Sequence, residues 1–235
     1  MNTWYRKQPG AWLMSLERFQ MTTLLAKIKG KYLMQMGGPP DLLLDADSPI
    51  HFRFYVSAET TEKGTACIQA DFCELPIEPD SLDVVLLIHV LEFSEYPVQA
   101  LEEAYQSLTP GGRLIIVGFN PWSLWGLTKI VKQEKTLPWQ GKFWSRAQVR
   151  QWLRSYDCKI ETYKTFCFRS PRTKVQSRKS STFFETLGQL CCPGMGGVYL
   201  ITAKKKVYAP LEQRSYRWKK HMLIRRRLVQ PTTRI

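Results

Sequence analysis

The sequence predicts an α/β domain on a mostly parallel seven-stranded sheet, with an antiparallel edge strand and helices on both faces. Three observations carry this. Short aliphatic or alternating runs recur along the chain, bounded by turn residues. Helical periodicities stand between several of them, as crossovers between parallel strands require. The last two strand-like runs have no long helical pattern between them, which fits an antiparallel hairpin at the sheet edge.

Each element follows in order. Residues 11–28 place Trp12, Leu16, Phe19, Leu24 and Ile28 at helix-like spacing, and Gly30 stops the helix. KYLMQM reads as a buried strand running into GGPPD, and only a short helix fits before the next strand. In residues 50–56, Phe52, Phe54 and Val56 alternate with His51, Arg53 and Tyr55. Residues 66–69 form a short third strand, ended by Asp71. Leu82–Val90 is the clearest buried strand, aliphatic and β-branched, with Asp83 as a solvated or capping residue at its start. Pro97 suits a first helical turn. The helix after it carries Leu101, Tyr105 and Leu108 on one face, and Thr109-Pro110-Gly111-Gly112 breaks it. RLIIVGF is the next strand. Ser145-x-x-Gln148 is a capping box ahead of Val149, Trp152 and Leu153. Residues 159–168 and 197–203 alternate as strands, separated by a basic stretch over 169–181 and a short helix over 182–190.

Composition narrows the class. The chain has 235 residues, 44% apolar and 23% charged, which fits one globular domain with a sizeable core. No apolar run reaches the roughly 18 residues of a membrane span. The N-terminal residues lack an apolar signal core and a cleavage site, so a mature, cytoplasmic protein is expected. None of the six cysteines forms a CxxC, and none of the three histidines is spaced with cysteine for zinc, so neither a disulfide framework nor a metal site is expected. The vicinal Cys191–Cys192 reads as two small apolar residues beside the Pro193–Gly194 turn, with a redox or soft-metal pair as the alternative.

The net charge of +14 is unevenly placed. Residues 204–235 hold eleven Lys/Arg and one acid, interleaved with Tyr208, Tyr216 and Trp218. The division is therefore a domain over 1–205, with an N-terminal helical cap over 1–30, and a basic tail over 206–235. Such a tail suits nucleic acid or an anionic membrane surface, or is a solvated end.

One constellation is more specific. Ala70-Asp71, Leu75-Pro76, Asp80-Ser81-Leu82-Asp83-Val84-Val85, His89-Val90-Leu91-Glu92 and Leu108-Thr109-Pro110-Gly111-Gly112-Arg113-Leu114 stand in sequence. This order and spacing resembles the class I S-adenosylmethionine-dependent methyltransferases, a Rossmann-like fold, and looks closest to their ubiquinone/menaquinone methyltransferase-like branch. The resemblance implies S-adenosylmethionine as cofactor and methyl transfer to an unidentified acceptor. It makes Asp71 the acid that accepts from the adenine amine, with Phe72 packing on the base. Read from the residues alone, Asp71 is equally a turn or cap aspartate.

The same resemblance points to Gly37 and Gly38 as the cofactor loop and to Glu59 as a late ribose-binding acid. The loop departs from the family pattern. Gln35 stands at the acidic position, the spaced second glycine is missing, and Pro39 and Pro40 bring no N–H donors. His89, at the carboxyl end of the fourth strand, is a base or a wall. Asn120, Trp122 and Trp125 line an acceptor pocket or simply pack. The competing reading is a catalytically inactive module that binds RNA, protein or membrane through its tail.

Overall fold

The computed structural model describes residues 2–44, 48–58, 67–132, 137–171 and 186–207. Glu59, most of the basic stretch over 169–181 and residues 208–235 of the tail lie outside them.

Seven strands form one sheet: β1 (Tyr32–Met36), β2 (Phe52–Ser57), β3 (Cys67–Gln69), β4 (Leu82–Ile88), β5 (Leu108–Phe119), β6 (Cys158–Phe166) and β7 (Val198–Lys205). Their order is β3-β2-β1-β4-β5-β7-β6. The pairings from β3 through β5 are parallel, and β7 runs antiparallel to both β5 and β6. The antiparallel strand is thus inserted beside the edge strand β6. Order reverses between β1 and β4, the place where open α/β sheets open a crevice beyond the strand carboxyl ends.

Seven helices belong to the same order of elements: α1 (Asn2–Tyr5), α2 (Gly10–Leu25), α3 (Asp41–Leu44), α4 (Val90–Phe93), α5 (Pro97–Gln106), α6 (Leu124–Lys132) and α7 (Arg146–Ser155); residues 186–191 are also helical. None of the described helices is long and apolar enough to cross a membrane.

Strand β4 shows why the sheet is covered twice. Val84, Leu86 and Ile88 join one core with Leu13, Met21 and Leu25 of α2, while Val85 and Leu87 join the other with Leu101, Val149 and Leu153. Alternate residues point to opposite faces, so an unbroken aliphatic run buries both. Asp83 does not merely start the strand. Its Oδ2 accepts from the backbone N–H of Lys31 (2.6 Å) and Tyr32 (3.0 Å), tying the entry of β1 to β4. In β5 the register jumps from Leu108 to Arg113, so Thr109 to Gly112 bulge out of the ladder. The expected cap is present on α7, where Ser145 Oγ accepts from Gln148 N–H.

Helix α2 corrects the expected face. Phe19 is 66% exposed, whereas Glu17 is fully buried in line with Leu13, Met21 and Leu25. The basic residues at the junction of domain and tail are structural too. Lys205 Nζ reaches Asp80 Oδ1 (2.7 Å) and the carbonyls of Tyr105 and Leu108, and Lys206 pairs with Asp157. Cys191 and Cys192 are both exposed, so neither packs as an apolar residue.

Candidate functional site

A cleft of about 510 Å³ opens at the carboxyl ends of β1, β2 and β4. Gly37, Gly38, Asp71, Phe72 and His89 all line it. Tyr55, Ser57, Phe93, Ser94 and Tyr96 complete much of its wall, and none of these five was singled out from sequence. Tyr55 is legible only in hindsight of the β2 alternation, which points it away from Phe54 and Val56.

The glycine turn is shaped by backbone need. Gly37 and Gly38 have φ of +69° and +65°, the left-handed region that side chains resist. A Cβ on Gly37 would sit 2.7 Å from the Ile88 carbonyl oxygen, and one on Gly38 would sit 2.5 Å from Ile88 Cγ2. The turn therefore lies directly on the end of β4. Gln35 explains how it holds without the family acid. Its amide N–H₂ donates to the carbonyls of Gly37 (2.8 Å) and Pro39 (2.9 Å). Tyr55 Oη adds a bond to the Gly38 carbonyl (2.9 Å).

Asp71 is exposed at the cleft, and its Oδ1 accepts from Cys73 N–H at 2.9 Å. The turn role and the ligand role are compatible, because a carboxylate has acceptor sites beyond one such bond. Phe72 is half-buried against the core on the side of β4 that carries Val85 and Leu87.

His89 borders the cleft but carries its side chain in the core. It sits at φ +53° where β4 turns into α4, with its side chain fully buried and stacked on Phe119. Its Nε2 lies 2.8 Å from Glu17 Oε1 and its Nδ1 3.5 Å from Glu92 Oε1. Burial pulls the imidazole down, but the Glu17 carboxylate and then Glu92 more than reverse this, raising it to about 9. An imidazole protonated in this setting has no nitrogen lone pair left to accept a proton. His89 thus lines the cleft while its side chain is held in a buried network. Tyr5 Oη donates to Glu17 Oε2 (3.0 Å), and Glu92 Oε1 accepts from Phe119 N–H (2.5 Å). This buried network joins α1, α2, α4 and β5 behind the cleft.

The three acceptor-pocket residues expected from sequence lie elsewhere. Asn120 is buried and used up: its Nδ2 donates to the carbonyls of Gly194 and Gly196, and its Oδ1 accepts from Trp122 N–H. Trp125 is fully buried, donates Nε1–H to the Arg169 carbonyl and stacks with Phe119. Trp122 is 76% exposed and is not part of the cleft wall. Asn120 and Trp125 are packing residues because the β5–α6 connection must be pinned to the 193–197 loop. Among the described residues no cluster of His, Cys, Asp or Glu could hold a metal.

Known proteins agree with this architecture. Residues 51–116 match the family model described as a methyltransferase domain. Uncharacterized protein YafS of Escherichia coli (strain K12) is 32% identical over 140 residues, which is 59% of this chain and 57% of that protein. The ubiquinone/menaquinone biosynthesis C-methyltransferase UbiE of Ruegeria sp. (strain TM1040) is 29% identical over 105 residues, 44% of this chain and 42% of its own. The chain thus spans about half the length of the curated relatives it matches.

Among solved structures, a SAM-dependent methyltransferase of Thermotoga maritima, described as a possible histamine N-methyltransferase, superposes with a TM-score of 0.61 at 21% identity, over 81% of this chain and 89% of that one. The [4+2]-cyclase SpnF superposes at 0.58 and 16% identity, over 86% and 84%. The sheet order, the cleft at its switch point and these likenesses give the chain the fold of the class I methyltransferases, with a match to the methyltransferase-domain model over residues 51–116.

Proposed function

We propose that this chain binds S-adenosylmethionine in the cleft and transfers its methyl group to an acceptor still to be identified. The observation that carries the reading is convergence. Gly37 and Gly38, Asp71 and Phe72 come from two separate segments of the chain and meet in one cavity of about 510 Å³. That is a normal size for a cofactor site, with an apolar wall and a few polar groups. The residues fit the group: a turn without side chains admits close backbone approach, a carboxylate edge can accept from an amine, and a ring can cover a base.

Bound there, the cofactor supplies an electrophilic methyl group on a sulfonium. The chain's part is to hold the acceptor in line and keep water out, which needs no dedicated acid or base. Phe93 and Tyr96 are placed to form the apolar wall beside Asp71. Within the class we favour the ubiquinone/menaquinone methyltransferase-like branch, on the motif from Ala70 to Leu114 and the partial likeness to UbiE.

A fold alone does not fix a reaction, as a cyclase on the same fold illustrates. The turn around Gln35 supports a second reading, an inactive module, because it lacks the acid and two N–H donors of the family loop. Titration calorimetry with S-adenosylmethionine and S-adenosylhomocysteine separates the two. Saturable heat and a raised melting temperature are expected. No heat and no thermal shift at millimolar cofactor would sink the enzyme reading. Mass spectrometry of methylated metabolites and RNA bases, with and without the protein, then identifies the acceptor.

A further inference from the structure

A second groove, distant in character from the cleft, lies along the edge of the sheet formed by β6. Its volume is about 420 Å³, and Arg146, Arg150 and Arg154 of α7 line it together with Cys158, Ile160 and Tyr163. The spacing i, i+4, i+8 sets the three guanidinium groups on one helix face, about 6 Å apart along the axis. Like charges at that spacing oppose the helix by some tenths of a kcal/mol per pair. None of the three has a carboxylate partner among the described residues, because the nearby acids are engaged elsewhere: Glu161 with Arg113 and Asp157 with Lys206. Arg146 lies over the Tyr163 ring at 4.6 Å, so the groove has an aromatic plane at one end.

The other end of the groove lies at Cys158. Cys158 pairs with Lys205 at the end of β7, and from Val207 onward the chain continues into residues 208–235, whose sequence holds eight Lys/Arg and one acid. We propose that the Arg146–Arg150–Arg154 groove binds the phosphate backbone of single-stranded nucleic acid. A row of arginines without a carboxylate partner among the described residues, in a concave groove, suits a chain of phosphates, and Tyr163, under Arg146, adds an aromatic ring at its end. A bilayer is a poorer fit here, because Ile160 and Tyr163 are only partly exposed and no large exposed apolar side chain lines the groove.

The test uses the full chain and a fluorescent 20-residue oligouridylate, followed by anisotropy from 50 to 300 mM salt. The comparison is the triple variant R146Q/R150Q/R154Q. These side chains are exposed, so the variant should melt at or slightly above the wild-type temperature. The expected result is at least tenfold weaker binding and a salt slope shallower by about 2, since each phosphate contact on a single strand contributes roughly 0.7. Equal affinity and equal slope in the variant would assign any binding to the tail alone and overturn the proposal. Anionic vesicles binding in place of the oligonucleotide would overturn it as well. The readout needs no cofactor, so its failure is distinct from a failure of the methyltransferase reading.

Discussion

Glu17→Gln removes one negative charge from behind the cleft with almost no change in shape. In the wild type the Glu17 and Glu92 carboxylates lift His89 from its ordinary 6.5 to about 9. At roughly 1.4 kcal/mol per decade of proton affinity, that gap corresponds to about 3 kcal/mol of native-state stabilisation. The sign follows from where the proton sits. Below pH 6.5 both folded and unfolded His89 are protonated, and the full stabilisation is present. Between 6.5 and about 9 only the folded form keeps its proton, so stability falls by about 1.4 kcal/mol per pH unit. Above about 9 the gain is gone.

The assay is urea unfolding at half-unit steps from pH 6 to 8.5. Cys158 is raised by burial to about 11, and burial raises Tyr5 and Tyr199 well above 10, so these groups add their own losses only above the ordinary thiol and phenol range. In Glu17→Gln the imidazole has lost its nearer carboxylate. The variant should be about 3 kcal/mol less stable at pH 6.5, with most of the slope between pH 7 and 8.5 gone. A wild-type stability that is flat or rises over that interval would refute the buried imidazolium. So would a variant that keeps the wild-type slope.

Three further outcomes are expected. Gln35→Glu, which restores the family acid, should destabilise the fold by roughly 2 kcal/mol in thermal or urea melts, since a carboxylate cannot donate to the Gly37 and Pro39 carbonyls. Asp71→Asn keeps an oxygen for Cys73 N–H but presents donors where the proposed adenine contact needs an acceptor; calorimetry should show S-adenosylhomocysteine affinity falling about tenfold or more with an unchanged apo melting temperature. In native protein, Cys191 and Cys192 should react promptly with a thiol reagent while buried Cys158 and Cys167 react only on unfolding, read as a two-phase absorbance trace.

How far the chain can be read depends on what kind of contact each residue makes. Leu82–Ile88 is legible because burial on both faces demands an unbroken aliphatic run. The Asp71 turn is legible through its short-range chemistry and its place in an ordered set of motifs. Glu17 is not, because a glutamate among apolar residues reads as surface. Its partner His89 lies 72 positions away, and no periodicity can register such a pair. Phe19 is the other half of the same error, since an apolar side chain carries no mark that distinguishes an exposed position from a core one. Asn120 and Trp125 look like site residues because polar and aromatic side chains near a strand's carboxyl end are the usual material of sites. Their hydrogen bonds instead go to the carbonyls of Gly194, Gly196 and Arg169, all distant in sequence.

The amide of Gln35 also bears on how relatives of this chain are to be sought. Its two donated bonds make the residue and the carbonyls of the Gly37–Pro39 turn a single structural unit. A screen that demands an acid at this position discards any chain whose turn is held in this way. A screen for glutamine followed two residues later by Gly-Gly-Pro asks instead for the amide that can hold such a turn.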